Sequence, residues 1–332
     1  MALSSDELVK RELIDGIGYQ YFDFEARVFP EGSNQDQKKY FEGGLTFTFQ
    51  NTDYGSCDLA YIDITDDKLV PFIAIEGTDA LNRGSSGNAQ YQRFHHALGA
   101  VKNGFIGIYY LRPGNLELQK DLYAMAYHST QTENGYYVIT QDIEEIKEIL
   151  RFGRRPSPEL KDFLNNLITK KYNLFLESFE RRYQNSWKLF AEKRSTILFE
   201  NHIIKYSARN ILNFTDGSQR AGHIAVGEMY LTKYFFPKHK FYYLWPRMTK
   251  EELQLLNHTK KKDKEWNLIS TESNVSVKTI DDLIGVPKSM RDGFREISKE
   301  PLKGKSLLSY NSLIKTLRDL IVDGDVVLIE DK

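Results

Sequence analysis

Between Gly55 and Arg112 the chain passes through four hydrophobic patterns in turn. GSCDLAYIDI alternates around Asp58, VPFIAIEG is a short apolar run closing on Glu76, the stretch through AQYQRFHHALGAVKNG is helical, and FIGIYYL has the continuous apolar character of a buried strand. The order this predicts is strand, strand, helix, strand. Upstream, residues Ser4 to about Ile14 predict a helix, with Ser4 or Ser5 as N-cap and Glu7 in the capping-box position for Ser4. YQYFDFEARVF is a second amphipathic segment, PEGSNQDQKKYFEGG a polar surface loop, LTFTFQ an alternating strand, and NTDYGS a turn into the Asp58 strand.

Downstream, DLYAMAYHS and GYYVIT predict two further strands joined by a hairpin turn at ENG. DIEEIKEILRF predicts a helix capped by Asp142. GRRPSPEL, with its glycine, prolines and arginines, is the best domain boundary in the chain. A long charged helical region is expected from Leu160 to about Phe199, and its Leu, Phe and Tyr repeats read as core. An aromatic run with interleaved basic residues follows in KYFFPKHKFYYLWPRM, then the solvated tract HTKKKDKE. Short helices lead to NSLIKTLRDLIVDG and DVVLIED, a helix and strand that would close a winged-helix unit. The predicted fold is α/β: a mixed central sheet flanked by helices over 1–153, and a mainly helical, basic region over 154–332.

Charge sharpens that division. The 332 residues carry a formal net charge of −1, yet residues 1–153 hold 13 Lys+Arg against 23 Asp+Glu, and 154–332 hold 32 against 23. An acidic half able to collect cations is joined to a half that tolerates a polyanion. No apolar run approaches a membrane span and MALSSDELVKREL lacks a signal peptide's greasy core, so a cytoplasmic protein away from membranes is expected. One cysteine, Cys57, excludes an internal disulfide and a Cys-based zinc cage, and reads as a small buried residue. There is no P-loop, no Rossmann glycine pattern and no serine nucleophile elbow. His95 and His96 are adjacent, so on a helix they diverge by about 100 degrees and cannot hold one metal as an i, i+4 pair would.

Asp58 and Glu76 stand where neighbouring strands can bring two carboxylates to one end of a sheet, an oxygen-ligand pair suited to a hard divalent cation. GSCD, then AIEGT, then a helix containing Gln90 and Gln92 resembles the PD-(D/E)xK nuclease superfamily, most of all its type II restriction endonucleases, over roughly residues 45–150. The resemblance implies that Asp58 and Glu76 bind Mg²⁺ and that the residue two beyond the glutamate positions the water. That residue is Thr78 instead of lysine, able to orient a water only by hydrogen bonding. Gly55 and Ser56 also replace the family's usual proline, and Lys68 or Arg83 are substitutes for the missing charge.

RGSSGNAQYQR further resembles the EcoRI-like branch, where a Gly-Asn-Ala and a following arginine read bases in the major groove. On that likeness Arg83, Asn88, Gln90, Gln92 and Arg93 are DNA-binding candidates, although Ser85 or Asn88 as a helix cap is an equal reading. Arg220, Lys233 and Lys238 join them from the basic, aromatic C-terminal stretch. The expected function is sequence-specific, Mg²⁺-dependent cleavage of double-stranded DNA by a homodimer. A non-catalytic DNA-binding protein on the same scaffold is the competing expectation.

Overall fold

The computed structural model describes residues 5–29, 45–50, 52–64, 70–82, 87–91, 93–153, 157–199, 201–208, 230–258, 275–298 and 300–328. It divides into two compact units: Met1–Arg182 with His223–Tyr234, and Tyr183–Gly222 with Phe235–Lys332. The boundary expected at 153/154 falls inside the first unit, between two of its helices.

The first unit opens with α1 (Ser5–Ile17), whose Val9, Leu13 and Ile17 form one buried stripe at i, i+4, i+8. Strands β1 (Gln20–Tyr21), β2 (Phe24–Val28), β5 (Leu59–Asp63), β6 (Val70–Thr78), β7 (Ile106–Leu111) and β8 (Tyr136–Thr140) form a mixed sheet in the order β1-β2-β5-β6-β7-β8. From β1 to β6 neighbours run antiparallel; β6, β7 and β8 run parallel. The parallel pairs need crossovers, which α2 (Phe94–Lys102) and α3 (Asp121–Thr132) supply. A separate pair, β3 (Thr46–Phe49) with β4 (Thr52–Ser56), lies against α2.

Alternation along the strands assigns the faces. Leu59, Tyr61, Ile73, Ile75, Ile108 and Val138 share a core with α1, with α4 (Ile143–Arg151) and with Leu160, Leu164 and Ile168 of α5 (Pro158–Tyr183). Ala60, Ile62 and Ala74 face the other way, toward Phe47, Cys57 and Ala100 of α2. The approach of α2 is close: a Cβ on Gly107 of β7 would stand 2.3 Å from the Ala97 carbonyl. Tyr230 and Tyr234 belong to this unit too, Tyr230 beside the Phe94 ring at 5.9 Å and Tyr234 hydrogen-bonded to the Tyr172 hydroxyl.

In the second unit, β9 (Thr196–Phe199), β10 (His202–Tyr206), β11 (Lys240–Trp245) and β12 (Val275–Thr279) make a sheet in the order β12-β11-β10-β9, parallel except at β9. Helices α6 (Trp187–Lys193), α7 (Lys250–His258), α8 (Lys288–Glu296) and α9 (Lys305–Val322) complete it with the short pair β13 (Leu283–Ile284) and β14 (Val327–Leu328). Ile204, Tyr242 and Leu244 pack against Met290, Phe294, Ile314 and Leu317 of α8 and α9.

The mixed sheet flanked by helices and the helical C-terminal region are as expected from sequence, and the second region adds a sheet of its own. Asp142 caps α4 by accepting the Glu144 N–H at 2.9 Å. Four local expectations fail. DLYAMAYHS is helix α3, because Leu122, Met125, Ala126 and Ser129 bury one face at i, i+3, i+4, i+7, a period that overrides its tyrosines' strand preference. ENG therefore joins a helix to β8, not two strands. NTDYGS contains strand β4 where a turn was expected, and the long helical region ends at Tyr183, followed by α6 and β9. The Ser4 cap, the whole PEGSNQDQKKYFEGG loop and the HTKKKDKE tract beyond His258 lie outside the described residues.

Candidate functional site

Asp58 precedes β5 and Glu76 lies near the C-terminal end of β6, so antiparallel pairing of these strands brings both to one end of the sheet. Backbone bonds fix Asp58: its N–H donates to the Ile75 carbonyl at 3.0 Å and its carbonyl accepts the Phe29 N–H at 2.9 Å. Its Oδ2 accepts the Gly77 N–H at 2.9 Å. Gly77 points to the α1 side of the sheet, and a Cβ there would stand 2.3 Å from Val9 Cγ1. The missing side chain lets α1 settle on β6, which carries Lys10 to the end of the sheet.

Three cationic or potentially cationic groups converge on the two acids. Lys10 Nζ lies 3.2 Å from Asp58 Oδ1 and donates to the Phe29 carbonyl at 2.6 Å. One guanidinium nitrogen of Arg93, Nη1, is 3.1 Å from Glu76 Oε1 and 3.8 Å from Asp58 Oδ2, facing both carboxylates. His96 Nδ1 lies 3.1 Å from Glu76 Oε2. Arg93 immediately precedes α2 and His96 sits in its first turn, so the positive end of that helix adds to the same field.

Burial makes this compensation necessary. The Glu76 side chain is 1% exposed and that of Asp58 9%, against 28% for Arg93. Moving an ion out of water costs several kcal/mol even after relaxation, so two buried acids persist as anions only beside close cations. Burial, and then the charge of Glu76, push the Asp58 carboxyl up to about 6, while Lys10, Arg93 and the Gly77 N–H pull the other way. Tyr109, which pairs with Glu76 in register, is raised above the usual phenol range chiefly by burial; its hydroxyl donates to the Gln90 carbonyl at 3.0 Å. The Cys57 thiol is pushed well up, by burial and then by Glu76 and Asp58, so it stays protonated as the buried filler expected from sequence.

The expected DNA contacts fare differently. Arg93 sits on the carboxylates. Thr78 accepts the Ala80 N–H at 3.2 Å and hydrogen-bonds Tyr109, so its hydroxyl is engaged within the fold. Gln90 is 1% exposed; its amide donates to the Glu117 carbonyl at 3.1 Å and accepts the Gln119 N–H at 2.8 Å, a clamp on the loop before α3. Lys233 is half-buried near His128 and Lys238 is exposed. Lys68, Arg83, Gln92, Arg220 and the side chain of Asn88 lie outside the described residues. Glu25 pairs with Arg27, one strand further from Asp58, and the aromatic run Phe241–Trp245 is buried core strand β11.

Comparison with family models, curated proteins and solved structures finds no match. Among the described residues no group of three or more His, Cys, Asp and Glu is arranged to hold a metal. Two carboxylates are nevertheless what Mg²⁺ asks of a protein when waters and substrate phosphate complete its shell. A single positive nitrogen already faces both Asp58 and Glu76, and two carboxylates are a donor type that fits a hard divalent ion.

Lys10 was missed in the sequence. It flanks the Val9, Leu13, Ile17 stripe, and a lysine at a stripe's edge is ordinarily solvated. Only the approach of α1 to Gly77 reveals its carboxylate partner.

Proposed function

We propose that the first unit is a divalent-metal-dependent nuclease acting on double-stranded DNA, with Asp58 and Glu76 as the metal-holding pair. The observation that carries this reading is the convergence of two buried carboxylates on one guanidinium nitrogen, 3.1 Å from Glu76 and 3.8 Å from Asp58, at the end of β6 where the parallel strands terminate. Ligand sites in α/β sheets collect at that end, outside the carboxyl ends of parallel strands.

Asp58 and Glu76 would hold the ion. When bound, it supplies Lewis-acid polarisation of the phosphate and a water of lowered pKa. Lys10 brings the ammonium that Thr78 cannot, anchored on the Phe29 carbonyl beside Asp58. Asp58 is oriented by the Gly77 N–H, and the rigid backbone bonds to Phe29 and Ile75 spare the site reorganisation during reaction. Sequence specificity, 5′-phosphate products, dimerisation and a cytoplasmic location complete the proposal, supported by the resemblance and by the basic charge of the C-terminal half. No helix among the described residues is long and apolar enough to cross a membrane.

The test is a digest of mixed plasmid and phage DNA with Mg²⁺. Discrete bands are expected from the native chain, and none from Asp58→Ala or Glu76→Ala, with specific duplex binding in Ca²⁺ retained by both. Full cleavage by both variants removes the assigned centre. The second reading, a DNA-binding protein on a nuclease scaffold that does not cut, is favoured by the ion pairs already neutralising both acids. Tight binding to one duplex, without nicking under Mg²⁺, Mn²⁺ or Ca²⁺, selects it.

A further inference from the structure

The three groups around the carboxylates are not equally committed. Lys10 is nearly buried and anchored to a backbone carbonyl, its side chain 10% exposed, and it touches Asp58 alone. His96 Nδ1 faces Glu76 Oε2. Arg93 is the group that spans both acids, with one nitrogen against Glu76 Oε1 and Asp58 Oδ2. A metal held by both acids would sit on the side of the carboxylates that this nitrogen faces. A guanidinium nitrogen and a divalent ion cannot both occupy the space between them, and a cation brought beside Arg93 is repelled by it at short range.

We infer that Arg93 is an internal counter-cation that a divalent metal must displace, so that the metal-free centre is held closed by the chain's own guanidinium. This rests on the nuclease reading only for the identity of the metal-holding acids. The greater exposure of Arg93 gives it a way out toward solvent that the buried Lys10 lacks. Once displaced it remains next to the metal, where an incoming phosphodiester is the anion available to accept its bidentate N–H donors. Metal and duplex then reinforce each other: the duplex stabilises the displaced guanidinium, and the metal frees it. Coupling of this kind is reciprocal by thermodynamic necessity. It holds the centre without metal until DNA arrives, a safeguard against indiscriminate hydrolysis.

The test uses Mn²⁺ binding to the full chain without DNA, counted as free Mn²⁺ by electron paramagnetic resonance, at low ionic strength and pH 7.5. Arg93→Gln should bind Mn²⁺ at least tenfold more tightly than the native chain, Arg93→Lys should stay within about threefold of it, and adding Glu76→Gln to Arg93→Gln should cancel the gain. Equal affinities in the native chain and Arg93→Gln overturn the inference, as does a gain that survives Glu76→Gln. If Arg93→Gln does not fold without metal, far-ultraviolet circular dichroism should show Mn²⁺ restoring it, and failure of that rescue also overturns the inference. Loss of duplex affinity in Arg93→Gln without any gain in Mn²⁺ affinity makes Arg93 a DNA contact only, and rejects the exchange. No arm measures cleavage, so an inactive chain can pass and an active nuclease can fail.

Discussion

Gly77 decides whether the two faces of the sheet can cooperate. It stands between Glu76 and Thr78 on β6, donates its N–H to Asp58, and leaves room for Val9 of α1. A methyl there would overlap a β-branched side chain whose χ1 freedom is small, so α1 must lift and take Lys10 with it. Gly77→Ala should lose about 1–3 kcal/mol of stability, the usual cost of overpacking. Val9→Ala alone opens a gap, but combined with Gly77→Ala it should recover more than half of the loss. A urea-melt double-mutant cycle checks this, and additive losses would show that the two side chains do not compete for space. At this scale the sequence made legible the convergence of Asp58 and Glu76 at one end of the sheet and the burial of Cys57. It was opaque for Lys10 and Arg93, since the partner of a long cationic side chain depends on a helix approach that no local pattern encodes.

At the scale of elements, α3 is the instructive failure. Its two tyrosines suggested a strand, yet the buried positions follow a helical period, because α3 must cross over between the parallel strands β7 and β8. The helix carries His128, whose imidazole is depressed to about 4 by burial and then by the nearby charge of Lys233. A histidine with a folded pKa below its unfolded value favours the native state fully only above the unfolded value, near 6.5. Its contribution is lost as pH falls from about 6.5 to about 4, while the unfolded chain takes up the proton. After allowance for its partial exposure, the loss should be about 1–2 kcal/mol. His128→Gln should flatten that part of the stability-against-pH curve without moving the plateau at pH 7.5. An unchanged slope between pH 6.5 and 4 would place the proton uptake elsewhere. Elements whose period and caps agreed, α4 with Asp142 and the strand closing on Glu76, were readable from sequence. Short strands such as β4 and β9 were not, because so few residues display no period of their own.

For the whole molecule, charge is what the sequence states most clearly: −10 over 1–153 and +9 over 154–332. The structure adds that two buried acids of the acidic part, Asp58 and Glu76, already stand beside Lys10 and Arg93. A DNA partner held through about six phosphates should lose roughly a thousandfold in affinity between 50 and 200 mM salt. Fluorescence anisotropy with a labelled duplex in Ca²⁺ measures this, and a Kd indifferent to salt would point to a small uncharged ligand instead. The mixed sheet flanked by helices could be anticipated because β6, β7 and β8 are runs of mostly apolar residues that read as buried strands. The division into units could not, since it depends on which distant segment returns to which core.

That return has a consequence for anyone wishing to take the protein apart. The chain leaves its first unit after Arg182, comes back for His223–Tyr234, and leaves again. Tyr234 bonds Tyr172, and Tyr230 lies by Phe94, the opening residue of the helix whose first turn carries His96. A chain that stops short of residue 234 therefore lacks part of the acidic unit, and no single protease cut will release that unit whole.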